Sequence, residues 1–371
     1  MQAYAPDVKV GNPVVRGQTI GKIGDSGNAE NTPSHLHFEV TTPAGDPHNP
    51  YNSLLSAQKI SRSVSNYPTL SDEVVPYGSG YRRSVNLALG DVSGDMIEET
   101  VVAAGDGGGP RVQFYNLSKE LLYEFYAFDS SWRRGADIAV GDVNGDGQNE
   151  LIVGTISPSG PLVATYAIDL ASKTATKLNE FSVFGTHDGG IQLASGDLDG
   201  NGVDEIIAAA GKGGGPRVSI FNNTGNVIKS FYAYDLSFKG GADVSTGDVS
   251  GTAAEELVVG PMTRGSSKIQ VYSAMSETPD TTFYAYDAGY RGGVRVSVGN
   301  VIPQTAKEEI VTVPDNGGGP TVNYLSATGS RLHTFRFMEE WWRGGYDVAA
   351  GENQLRASTG IDRRGSVRFL K

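Results

Sequence analysis

Two loops in the chain space oxygen-bearing side chains at the same intervals. One reads Asp142-Val-Asn144-Gly-Asp146-Gly147-Gln-Asn-Glu150, the other Asp197-Leu-Asp199-Gly-Asn201-Gly202-Val-Asp-Glu205. Side-chain oxygens fall at positions 1, 3, 5 and 9, and the glycine at position 6 permits a sharp turn. A hard cation such as calcium takes about six to eight oxygen ligands, and such a loop wraps them round one point. The plainer alternative is that Asp, Asn and Gly simply build turns here. A third loop, with Asp91, Ser93, Asp95 and Glu99, keeps most of the ligand set. A fourth keeps Asp248, Ser250 and Glu256 but has Thr252 at position 5, and the loops at Asn300 and Glu352 have lost the pattern. The closing glutamate persists as Glu99, Glu150, Glu205, Glu256 and Glu309. That persistence points to a second, structural job, such as accepting backbone hydrogen bonds. Elsewhere, His35-Leu-His37 puts two imidazoles on one side of a strand, half of a zinc site, where a catalytic zinc usually has about three protein ligands.

The acidic loops belong to a repeat. The phrase YRRSVNLALGD ends at Asp91, WRRGADIAVGD at Asp142, HDGGIQLASGD at Asp197 and FKGGADVSTGD at Asp248. Weaker copies, YRGGVRVSVGN and WRGGYDVAAGE, end at Asn300 and Glu352, so successive spacings are 51, 55, 51, 52 and 52 residues. Each unit reads as four short strands; in the second these are Ala136 to Gly141, Glu150 to Gly154, Pro161 to Ala167 and a strand near Glu180 to Phe184. Four such strands cannot bury both faces alone, and repetition about an axis solves that problem. The last unit ends after its third strand, Ser366 to Leu370, while an unmatched strand, Glu73 to Tyr77, precedes the first. The expected fold is therefore all-β: a six-bladed β-propeller of four-stranded antiparallel blades over residues 73–371, its N-terminal strand closing the last blade. An open β-solenoid is the alternative. Residues 1–55 read as a small separate β segment and 56–72 as a linker.

Composition narrows the function classes. A formal charge of −12 argues against an electrostatic grip on nucleic acid. No apolar run is long enough for a membrane span. The absence of cysteine excludes disulfides and thiolate metal sites. Met1-Gln2-Ala3-Tyr4 shows no signal-peptide pattern; the reading favoured is an extracellular or surface protein whose natural N-terminus lies upstream.

Two further features share the rim opposite the acidic loops. The phrase GGGP recurs after Asp106, Lys212 and Asn316, and no Lys-Ser or Lys-Thr pair follows it. A tight turn or close blade-to-blade contact suits it better than a phosphate cradle. Aromatic-basic pairs recur beside it: Tyr81-Arg82, Trp132-Arg133, Phe238-Lys239, Tyr290-Arg291 and Trp342-Arg343. As a ring they can bind glycan or an acidic peptide; alternatively each aromatic fills the gap between blades.

The motif GDVNGDGQNELIVG and its copies resemble the FG-GAP/VCBS repeat of integrin-like and bacterial surface propellers. That resemblance implies bound calcium and an adhesion or ligand-binding role towards cell-wall glycan or a surface protein. Val8 to Leu54, with VVRGQTIGKIGDSG, HLHFEV and a trailing Asn49-Pro50, resemble the C-terminal half of lysostaphin-type zinc endopeptidases. By that resemblance His37 is a zinc ligand and His35 the catalytic general acid/base. The family's remaining His and Asp ligands have no counterpart within Met1 to Asp7, so this chain is expected to be inactive by itself. The leading expectation is a binding propeller attached to a peptidoglycan endopeptidase. The rivals are a zinc endopeptidase with the propeller as accessory, and a structural adhesin that polymerises through open edges.

Overall fold

A computed structural model describes residues 73–370 except 158, 186–188, 253, 274, 303–306, 316, 338–342, 344 and 360–364, together with four two-residue strands nearer the N-terminus. The chain divides into two compact units, Met1–Asn66 and Tyr67–Lys371. In the first, Ala3–Tyr4 pairs antiparallel with Gly21–Lys22, and Val40–Thr41 with Pro47–His48. His35, His37 and the expected linker at 56–72 lie outside the described residues.

The second unit is a six-bladed propeller. Six four-stranded antiparallel sheets follow one another along the chain. Their first strands are Val85–Gly90, Ala136–Gly141, Ile191–Gly196, Ala242–Gly247, Val294–Gly299 and Tyr346–Gly351. Each first strand packs on the first strands of both neighbouring blades, so these six line the axis. Second strands such as Glu99–Ala104 and Glu150–Ser157 are buried throughout, which is why they read as continuous apolar runs. Outer strands such as Leu121–Tyr126 and Thr174–Ser182 alternate towards solvent. Blade two departs from the expected bounds. Its outer hairpin, Gly160–Asp169 with Thr174–Ser182, is longer than in the other blades, and this accounts for the one 55-residue spacing.

The ring closes as the repeat implies. Glu73–Val74 pairs with Val367–Leu370 in the register Val367↔Val74 and Arg368↔Glu73. The apolar side chains form six clusters, each lying between two neighbouring blades. One of them joins Val85, Leu87 and Val102 of the first blade to Val367 and Phe369 of the last. No blade owns a core, so each depends on both neighbours.

Tyrosines tie several of these interfaces. Beyond the outer strand, the Tyr77 hydroxyl lies 3.0 and 2.8 Å from the Val102 and Arg111 carbonyls of the next blade. Tyr234 repeats this with Val259 and Lys268, and Tyr286 with Thr312 and Thr321. Burial pushes all three phenols up, so each remains a donor at any physiological pH.

Candidate metal loops and the two rims

Each acidic loop is wound round its first aspartate. Asp142 accepts Gly145 and Asp146 N–H on Oδ1, at 2.8 and 3.1 Å, and Gly147 N–H on Oδ2 at 2.8 Å. Asp197 takes Gly200, Asn201 and Gly202 in the same way. The turn needs left-handed backbone at position 6, where Gly147 and Gly202 both have φ of 83°. In the Asp197 loop this winding brings one oxygen each of Asp197, Asp199 and Glu205 within 4.8 Å of one another. In the Asp142 loop, Asn144 donates to Asp146 Oδ2 at 3.0 Å and Glu150 Oε1 at 2.6 Å, while the buried Glu150 Oε2 has no hydrogen bond of good geometry, although the Val143 and Asn144 N–H groups are near enough to pull the carboxyl down. Burial first, then the charges of Asp146 and Asp142, push Glu150 up to about 7. Glu205 is likewise pushed up to about 7 by burial and by Asp199 and Asp197, against a Leu198 N–H bond that pulls it down. Carboxylates crowded and desolvated in this way fit a cation, which would supply the missing opposite charge.

The Asp91 loop differs at one position. Asp91 accepts the N–H groups of Gly94, Asp95 and Met96, so the winding is the same. Position 6, however, is Met96, held at φ 67° with its side chain 93% exposed. In the fourth loop Ser250 Oγ donates to Glu256 Oε1 at 2.6 Å. The closing glutamates do have a structural role. Glu99 accepts Val92 and Ser93 N–H, Glu205 accepts Leu198, Glu256 accepts Ser250, and Glu309 accepts Val301 and Ile302. The Glu309 loop keeps this bond after losing the other ligands, so metal alone does not account for the residue.

Sequence reasoning missed the residue before each of those glutamates. Backbone N–H groups of Asp204, Glu255 and Glu308 donate to the Asp142, Asp197 and Asp248 carbonyls of the preceding blade, at 2.9, 3.1 and 3.0 Å. Their carboxylates lie where a Cβ on Gly141, Gly196 or Gly247 would sit, which explains the Gly of those three Gly-Asp pairs; at Gly90 the Val140 side chain takes that place. Burial and neighbouring acids push Asp204 up to about 6 and Glu255 to about 8. The signal was present as a second acid in Glu98-Glu99, Asp204-Glu205, Glu255-Glu256 and Glu308-Glu309.

On the opposite rim the GGGP loops make close blade-to-blade contacts. Gly135 N–H donates to the Gly108 carbonyl at 3.0 Å, and a Cβ on Gly135 or Gly241 would overlap the backbone at Gly105 or Gly211. The aromatics are partly buried against an aromatic four positions earlier. Ring centroids are 5.0 Å apart for Tyr77–Tyr81, 5.8 Å for Phe128–Trp132 and 6.0 Å for Tyr234–Phe238 and Tyr286–Tyr290. Arg82, Arg133, Lys239 and Arg291 are exposed but donate to carbonyls of their own turn. Arg343 is exposed on the same rim, and Trp342 lies outside the described residues. The aromatics thus serve the interface between blades, while the cations are exposed on the rim.

A polar ring at the axis also went unnoticed. The second residue of each first strand is, in blade order, Asn86, Asp137, Gln192, Asp243, Arg295 and Asp347. In alternate blades the aspartate accepts the next blade's backbone: Asp137 from Leu193 N–H, Asp243 from Val296 N–H and Asp347 from Leu87 N–H, at 2.7, 2.7 and 2.8 Å. Arg295 pairs with Asp243 at 2.9 Å.

Fold and loops together define a six-bladed propeller with acidic loops on one rim and cations on the other. Among solved structures it is similar to the rhamnogalacturonan lyase PL11 of Bacillus licheniformis, with 15% identity over 78% of this chain and a TM-score of 0.41. It spans 57% of that lyase's length. It is also similar to U3-55K, with 12% identity, 82% of this chain, all of the other and a TM-score of 0.46, and to the WD40 repeats of RRP9, with the same identity and score. These likenesses concern the propeller fold alone. No protein-family model and no curated protein matches the chain.

Proposed function

We propose that the chain is a calcium-stabilised binding module of the FG-GAP/VCBS type, working outside the cell or on its surface. The observation that carries this reading is the convergence of Asp197, Asp199 and Glu205 oxygens. The buried Glu150 Oε2, which lacks a hydrogen bond of good geometry, supports it at the second loop. Exposed loops with a few carboxylates suit the weak calcium sites of extracellular modules, which fill at roughly 0.1–1 mM calcium. Calcium would cross-link each loop at the point where the next blade docks through Asp204 or Glu255, and so stiffen the interface between blades.

For the ligand, the resemblance of Val8 to Leu54 to peptidoglycan endopeptidases directs the proposal to the bacterial cell wall. The exposed cations Arg133, Arg291 and Arg343 give the rim opposite the calcium loops a charge suited to an acidic wall polymer or protein partner. The test is co-sedimentation of the full chain with purified cell walls. Binding is expected at 2 mM calcium in about 0.1 M salt, weakened by chelator and by the triple substitution Arg133→Ala, Arg291→Ala and Arg343→Ala. A chain that stays in the supernatant under all conditions overturns the wall reading.

A further inference from the structure

The mouth of the axis on the GGGP rim is a cavity of about 340 Å³, within the range of small-molecule sites, roughly 300–1,000 Å³. Its floor is set by Asn86, Asp137, Gln192, Arg295 and Asp347. Arg295 is committed on one side: its Nη1 lies 2.9 Å from Asp243 and its Nε 3.9 Å from Asp315. Asp137 and Asp347 are anchored by backbone N–H groups, and among the described residues no Lys or Arg nitrogen comes within 4.0 Å of either. They come from the two blades flanking that of Asn86; burial raises both above the usual carboxylate range, the Asp347 charge adds to the rise at Asp137, and the Arg295 charge partly offsets it at both.

A second observation is independent of these acids. Gln192 is only 6% exposed and lines the cavity; its Nε2 donates to the Ile191 carbonyl at 2.6 Å, which fixes the amide orientation. Its Oε1 is then a buried acceptor with no partner among the described residues. Leaving such an acceptor unmet carries its full desolvation cost, so the site gains from a ligand that brings donors. Arg295 Nε is the one donor without a hydrogen bond here, and it faces Asp315.

An ammonium group answers these needs. It carries three donors and one positive charge, against two carboxylates with no Lys or Arg nitrogen within 4.0 Å among the described residues and an orphan amide oxygen; Asp106 and Asp315 line the same cavity beside Arg134 and Lys212. The three axial aspartates do not form a cluster with oxygens within 4.8 Å of one another, so an organic cation fits better than a chelated metal ion. We infer that this axial cavity binds small ligands through a primary ammonium group held by Asp137 and Asp347, with Gln192 as a further acceptor. The site deepens the binding role proposed above by supplying a pocket at the centre of the cationic rim. An amino sugar and a lysyl side chain both present this chemistry.

The test is isothermal titration of the full chain, in calcium, with glucosamine, glucose and Nα-acetyl-lysine amide. Saturable binding of an amine is expected, at least tenfold tighter than glucose. It should weaken at least tenfold in Asp137→Asn and in Asp347→Asn, both of which keep a carbonyl oxygen for the backbone N–H. Binding of glucosamine alone assigns the site to amino sugars, and binding of the lysine derivative alone assigns it to peptide amines. No binding of either amine, glucose binding as tightly as glucosamine, or unchanged binding in both variants overturns the site. A chain that still co-sediments with walls but binds neither amine refutes this cavity and leaves the wider reading in place.

Discussion

At the scale of single residues, the loops obey backbone geometry before any metal is considered. Position 6 must be left-handed, and Met96 is the residue least suited to it. A left-handed non-glycine residue costs about 1–2 kcal/mol, so Met96→Gly should stabilise the chain by about 1 kcal/mol in chemical denaturation. The Gly-Asp glycines make the opposite case. A methyl group on Gly141 would collide with Asp204 and Ser195. Overpacking costs about 1–3 kcal/mol, and Gly141→Ala should lower the denaturation midpoint accordingly. The sequence displayed the position-6 glycine as a turn residue and Gly141 as the end of a strand. It did not disclose that Gly141 makes room for a carboxylate of the next blade, because that contact spans sixty-odd residues and appears only when the blades are docked.

At the scale of strands and blades, the interfaces are where stability resides. Tyr286→Phe keeps the ring and removes the hydroxyl between the Thr312 and Thr321 carbonyls. The loss should be about 1–2 kcal/mol, read from equilibrium unfolding. Blade architecture was legible from the period, since each repeat must show the same alternation to meet identical neighbours. The six first strands fell where the Gly-Asp phrases placed them. The outer hairpin of the second blade was harder to place, because solvent-exposed strands such as Thr174–Ser182 carry little apolar signal. The axial ring escaped for a related reason. One polar residue inside an apolar strand looks like ordinary alternation until six such residues meet at one axis.

At the scale of the whole molecule, closure and buried charge set the behaviour. Without Glu73–Val74, the strand Val367–Leu370 becomes an open edge. A chain starting after Tyr77 should melt lower and self-associate, which light scattering would detect. The axial aspartates make a pH prediction. Burial raises Asp137 and Asp347 above the usual carboxylate range and pushes Asp243 up to about 7. A carboxyl raised in the folded state contributes stability below its unfolded pKa, about 3.9, and loses it as pH climbs towards the folded value. Asp137→Asn should therefore raise the melting temperature at pH 7.5 and leave it nearly unchanged at pH 4.

The proposed calcium sites in the Asp142 and Asp197 loops can be tested together. At 5 mM calcium, roughly five- to fiftyfold above a Kd of about 0.1–1 mM, ligand linkage contributes about 1–2 kcal/mol per site. Thermal melts in 5 mM calcium and in chelator should therefore differ by on the order of 5 °C, and the difference should vanish in the double variant Asp142→Ala, Asp197→Ala. Identical melting curves with and without calcium in the unsubstituted chain would contradict the proposal.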